Sequence, residues 1–121
     1  MKKIWLAILG SAMMALLAVG FSAAAADMTY SGEIMDSSCA KMGSHEGMMK
    51  AHPGMKDAKQ CTLGCVKAGA KFVLYDVASK TTYELDDQQK PMQFAGDKVK
   101  VMGTLDKATN TIHVTDIKPA S

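Results

Sequence analysis

The chain contains no arginine; all 14 of its basic residues are lysine. Arginine reads phosphates and base edges with paired donors, so its absence argues against a nucleic-acid partner. Aromatics are scarce at 6%, and the one tryptophan is Trp5. Little is therefore available to stack on bases. Between Cys39 and Cys65 there is no aromatic residue at all, so that stretch has little with which to build a core. Cysteines number only three. Cys61 and Cys65 are separated by three residues, whereas a thioredoxin-like motif needs two. No HExxH, phosphate-cradling glycine loop or Ser/His/Asp set is present, and the chain is not expected to be an enzyme.

What is present begins with a leader. Met1-Lys2-Lys3 is positively charged, an apolar run follows from Ile4 to Phe21, and Ser22-Ala23-Ala24-Ala25-Ala26 offers an Ala-x-Ala site before Asp27. This is the pattern of a secretory signal peptide over residues 1–26. No cysteine stands directly after the site, which argues against a lipid anchor. Residues 27–121 then form a single small domain, near the lower end of what supports a core. Without Lys2 and Lys3, twelve lysines face twelve acidic side chains, and the formal charge of +2 falls to about zero. A neutral, arginine-free, exported domain is expected to bind no nucleic acid and, once cleaved, no membrane. Its expected location is periplasmic or secreted, where thiols tend to pair. An odd cysteine is left for a metal, a partner or a reactive role.

Two of the three histidines and four methionines lie between Cys39 and Cys65, and a short unit occurs there twice: His45-Glu46-Gly47-Met48 and His52-Pro53-Gly54-Met55. Thiolate, thioether and imidazole are ligands that copper and zinc prefer.

Residues 28–35 alternate with a period near two and predict a first strand. Asp36-Ser37-Ser38 ends it with turn chemistry. Gly43, Gly47, Gly54 and Pro53 weaken any helix from Cys39 to Met55, so a loop with one helical turn near 46–51 is expected. Asp57, three residues before Gln60, resembles a capping box and opens a helix over 58–67 that Gly69 stops. Phe72-Val73-Leu74-Tyr75 reads as a strand apolar on both faces, returned by residues 81–85. Pro91 opens a helical turn through Phe94. Residues 99–105 and 111–117 form a second hairpin around Asp106–Asn110. The expected fold is mainly β: a small five-stranded OB-like barrel, with a helix between its third and fourth strands and a long helix-containing insertion (37–70) between its first two.

Gly32-Glu33-Ile34-Met35-Asp36-Ser37-Ser38-Cys39, Cys61-Thr62-Leu63-Gly64-Cys65-Val66 and the segment from Phe94 to Leu105 resemble a group of small exported bacterial proteins of unknown function. The closing part is similar to bacterial OB-fold proteins of the periplasm. The resemblance implies the fold and the location, and no activity.

On a helix, Cys61 and Cys65 would hold their Cβ atoms about 5–6 Å apart, against the roughly 3.8 Å of a disulfide. A bridge from Cys39 to Cys61 or Cys65 is therefore expected, closing a loop worth about 3–4 kcal/mol. His45, Met48, Met49, His52 and Met55, with whichever of Cys61 and Cys65 escapes the bridge, are the expected metal ligands. Copper is preferred, because thioether suits the reduced ion and imidazole the oxidised one. A zinc or copper site of Cys39, Cys61, Cys65 and one histidine is the second version. Without a metal, the methionines cover a barrel mouth and the domain is a disulfide-stapled interaction module for a small ligand or an envelope protein. His113 is expected on the solvent face of the last strand, and Asp86-Asp87 in a solvated turn.

Overall fold

The computed structural model describes residues 27–121; the expected signal peptide lies outside the described residues. Five strands form one sheet: β1 (Met28–Asp36), β2 (Phe72–Asp76), β3 (Thr81–Leu85), β4 (Lys98–Asp106) and β5 (Thr111–Pro119). The sheet closes into a ring in the order β1-β2-β3-β5-β4, with β4 returning to pair with β1. Three short helices, α1 (Ser37–Met42), α2 (Glu46–Ala51) and α3 (Ala58–Lys67), fill the connection from β1 to β2. A 3₁₀ turn at Lys90–Phe94, with Pro91 near its start, precedes β4. The order of the strands, of α2 and α3 and of the turn before β4 matches the one expected from the sequence; α1 is additional.

Alternation fills the ring. Val99 and Val101 on β4, Ile112 and Ile117 on β5, Phe72 and Leu74 on β2, and Ile34 on β1 point inward and are buried together. Lys98 and Lys100, alternating with the β4 valines, are exposed. This is the period-two pattern of a sheet with one dry face.

The weakest seam is the last one. β3 and β5 run parallel and pair over only Glu84–Thr111 and Leu85–Ile112, whereas β4 and β5 pair along nearly their full length. Side chains reinforce the short seam: Asn110 donates through Nδ2 to the Thr82 carbonyl at 2.9 Å, and the Val114 N–H donates to Asp86 Oδ1 at 2.8 Å. His113 stands on the solvent face as expected, its Nδ1 3.1 Å from Asp86 Oδ2. The Val114 N–H, and after it the His113 ring, hold the Asp86 carboxyl below the ordinary carboxylate range. A depressed folded-state value stabilises above the unfolded pKa and loses that contribution as pH falls through the folded one. Asp86 is 43% exposed, so solvent screening keeps the effect small. Asp86→Ala is expected to lower stability by about 0.5 kcal/mol at pH 7. In urea melts the gap to the parent protein should close below about pH 4; a gap constant down to pH 2 would remove Asp86 from the seam.

β2 is buried on both sides. Phe72 and Leu74 face the ring interior, while Val73 and Tyr75 face outward into a second cluster with Met35, Cys39, Ala40, Cys61 and Cys65. The aromatic-poor insertion therefore does have a core, contrary to expectation. It takes its large apolar surfaces from the outer face of β1 and β2 and fills the remainder with sulfur.

Candidate metal centre

Two capped helices deliver the cysteines to this outer core. Asp36, the last residue of β1, is also the N-cap of α1: its Oδ2 accepts from the Cys39 N–H at 2.9 Å. Gly43 ends α1 at φ +79°. The glycine expected to weaken this helix instead stops it, a conformation that residues with a Cβ avoid. A six-residue helix thus forms where a loop was expected. α2 occupies the helical turn that was expected.

α3 begins at Asp57, whose Oδ1 accepts from the Gln60 N–H at 2.7 Å, while Gln60 Oε1 accepts from the Lys56 N–H at 2.9 Å. Four residues apart on α3, Cys61 and Cys65 share its inner side with Thr62, which follows from helical spacing.

The result is a group of four buried side chains. One ligand atom from each of Asp36, Cys39, Cys61 and Cys65 lies within 4.8 Å of every other. Asp36, Cys39 and Cys61 are fully buried, and Cys65 is 7% exposed. Asp36 Oδ1 is buried with no hydrogen-bond partner, and no ion pair reaches Asp36 among the described residues. A buried polar atom left unpaired costs about 1–3 kcal/mol. Burial, and then the carboxylate of Asp36, push the Cys39 thiol far above its ordinary range. The same two causes push Cys65 up to about 11.

The sulfurs of Cys39 and Cys61 are 3.6 Å apart and all three cysteines are free. The expected disulfide from Cys39 is therefore not formed here, since an S–S bond measures about 2.05 Å. A separation of 3.6 Å is instead close to the sulfur spacing around a four-coordinate ion: bonds of about 2.3 Å at a tetrahedral angle place neighbouring sulfurs roughly 3.8 Å apart.

The other expected ligands separate. His45 is buried but turned toward the ring, its Nε2 3.0 Å from Glu33 Oε1 on β1. It ties the start of α2 to β1 and is outside the four-residue group. Met48, Met49 and Met55 pack against the cysteine cluster. Met48, His52, Met55 and Cys65 also line a hollow of about 270 Å³. The repeated unit is thus read unequally: its two methionines converge on one hollow, and its two histidines part.

Asp36 was missed by sequence reasoning, which took Asp36-Ser37-Ser38 only as a turn. The available signal was its place three residues before Cys39, the spacing of an N-cap to the N–H it accepts.

Nothing among curated proteins or solved structures matches the chain. From Gly64 in α3 through β5, residues 64–120 match the sequence profile of a family described as "Protein of unknown function (DUF5818)", a stretch that includes Cys65 and stops short of Asp36, Cys39 and Cys61.

Proposed function

We propose that this protein is an exported, non-enzymatic binder of a soft metal ion, copper(I) before zinc, built on an OB-like barrel. The observation that carries the reading is the convergence of three cysteine sulfurs and the Asp36 carboxylate within one buried group, one oxygen of that carboxylate having no hydrogen-bond partner. Three thiolates satisfy copper(I), a soft ion; zinc would recruit Asp36 as a fourth ligand. Copper comes first because three soft thiolates complete its shell without the carboxylate. The ring order of the strands, with the 3₁₀ turn before β4, supports the OB-like assignment. The leader pattern in residues 1–26 supports export.

The test is a competition titration of the purified, reduced protein under anaerobic conditions. Copper(I) is presented on a chromogenic chelator, and zinc is presented separately. The expected result is one copper(I) removed from the chelator per chain, with a first coordination shell dominated by sulfur in X-ray absorption. A protein that leaves both ions with their chelators is not a metal binder.

A second reading has one observation in its favour. The Cys39 and Cys61 sulfurs are already neighbours, and an oxidising compartment would join them. The domain would then be a stapled module that binds a small molecule or an envelope protein. Intact mass of protein taken from the cell envelope under acid quench separates the two, since the staple removes two hydrogens and the metal form retains free thiols.

A further inference from the structure

The hollow beside α3 has features that a buried binding group does not need. Cys65 belongs to both: it is one of the four clustered residues and part of the lining of the hollow. It is also the only one of the three cysteines with measurable exposure, 7% against zero for Cys39 and Cys61. The clustered sulfurs thus meet solvent on one side only, and on that side stand Met48, His52 and Met55.

Backbone hydrogen bonds fix those three residues relative to one another. The His52 N–H donates to the Met48 carbonyl at 3.0 Å, closing α2, and the Met55 N–H donates to the His52 carbonyl at 2.9 Å in the following turn. The chain winds so that all three residues line the same hollow. His52 is exposed, while Met48 and Met55 are half-buried against the cysteine cluster. Gly64 completes the arrangement: a Cβ there would sit 2.6 Å from Met55 Cε and 3.8 Å from its Sδ. The missing side chain on α3 is the notch that seats Met55 next to Cys65.

Resting on the metal-binding reading, we propose that Met48, His52 and Met55 form a second, weaker copper(I) site at the mouth of the buried one, and that the ion is exchanged with the cluster through Cys65. Thioether and neutral imidazole hold copper(I) without giving up a proton and release it readily. At the mouth the ion loses its chelator and gains thioether and imidazole. In the next step one Cu–S(Met) bond breaks as the Cu–S(Cys65) bond forms, and the thiol proton leaves to the open water of the hollow. Copper remains in the +1 state throughout, so no oxidant or reductant is consumed. Cys39 and Cys61 then take the ion inward in the same manner.

The discriminating measurement is a rate set beside an affinity. Stopped-flow loading from a chromogenic copper(I) chelator is compared for the parent protein and for Met48→Leu/Met55→Leu, a swap that preserves volume and so folding. Loading of the double variant is expected to slow on the order of 10-fold, with equilibrium affinity unchanged. Gly64→Ala is expected to slow it in the same direction, although alanine is the better helix former and loss of the helix cannot be the cause. Equal loading rates would overturn the mouth site and leave the buried site standing. Affinity falling in proportion to the rate would overturn it too, making the methionines ordinary ligands of the buried ion. If the parent protein binds no copper(I), silver(I) with methyl NMR decides: shifts confined to Met48 and Met55 support a thioether site by itself, and unmoved methyls overturn it.

Discussion

Cys61→Ser is expected to weaken copper(I) binding by about 100-fold or more, exceeding the 10–100-fold that loss of a mere supporting contact around a metal costs. Cys61 is fully buried, contacts the Cys39 sulfur at 3.6 Å and is grouped with Cys65. Serine keeps the size within one atom but replaces a soft donor with a hard one, which copper(I) does not accept. The comparison that gives the result meaning is Asp36→Asn. The asparagine carbonyl can still accept from the Cys39 N–H and keep α1 capped, while the carboxylate charge is lost. Zinc affinity should then fall by about 10–100-fold, and copper(I) affinity should hold. Both variants are read by chelator competition with each ion. If Cys61→Ser competes as well as the parent, the clustered thiols are packing and nothing more. If Asp36→Asn weakens both ions equally, the carboxylate belongs to the copper shell.

Gly103→Ala is expected to destabilise the fold by about 2–4 kcal/mol, through overpacking against backbone that cannot move away. The pairing of β4 with β5 shifts register between Met102 and Gly103. At this irregularity the two strands approach so closely that a Cβ on Gly103 would collide with the His113 carbonyl oxygen and lie 2.9 Å from Ile112 Cγ2. Ile112 is itself fully buried in the ring. The bulge can therefore form only with glycine, and it bends β4 so that one strand can pair with β5 on one edge and β1 on the other. Gly54→Ala is the control: a Cβ there meets nothing within 4 Å and should shift stability by no more than about 0.5 kcal/mol. Urea midpoints of the two variants check the contrast, and equal midpoints would show that the close approach at the bulge does not exist.

The ring was legible because its signals are local and mutually consistent. Alternation in β1, β4 and β5, the turn residues at Asp106–Asn110 and the Asp57 cap of α3 each report a short-range preference that the tertiary structure leaves intact. α1 was not legible, because Gly43 read as a helix weakener; whether a glycine breaks a helix or ends it depends on where the helix begins, and that was set by Asp36. The chemistry was legible in kind and not in arrangement. Spacing put Cys61 and Cys65 on one helical face, but no periodicity could show that Asp36 and Cys39 arrive opposite them from the end of β1. Nor could it show that His45 is taken up by Glu33, since that contact depends on the path of the chain through Gly43 and Ser44.

β2 carries Phe72 and Leu74 on one side and Val73 and Tyr75 on the other, so occupancy of the proposed site would be coupled to the cohesion of the ring. A ligand held only by the folded chain adds RT ln(1 + [L]/Kd) to its stability, about 2.7 kcal/mol at a hundredfold excess over Kd. Because the layer that holds the sulfurs and the ring share this strand, that increment is not confined to the outer layer. If the proposed ion is bound, the melting temperature of the whole domain would gauge how much of it is on board, and a chain stripped of it would be the easier one to unfold and clear.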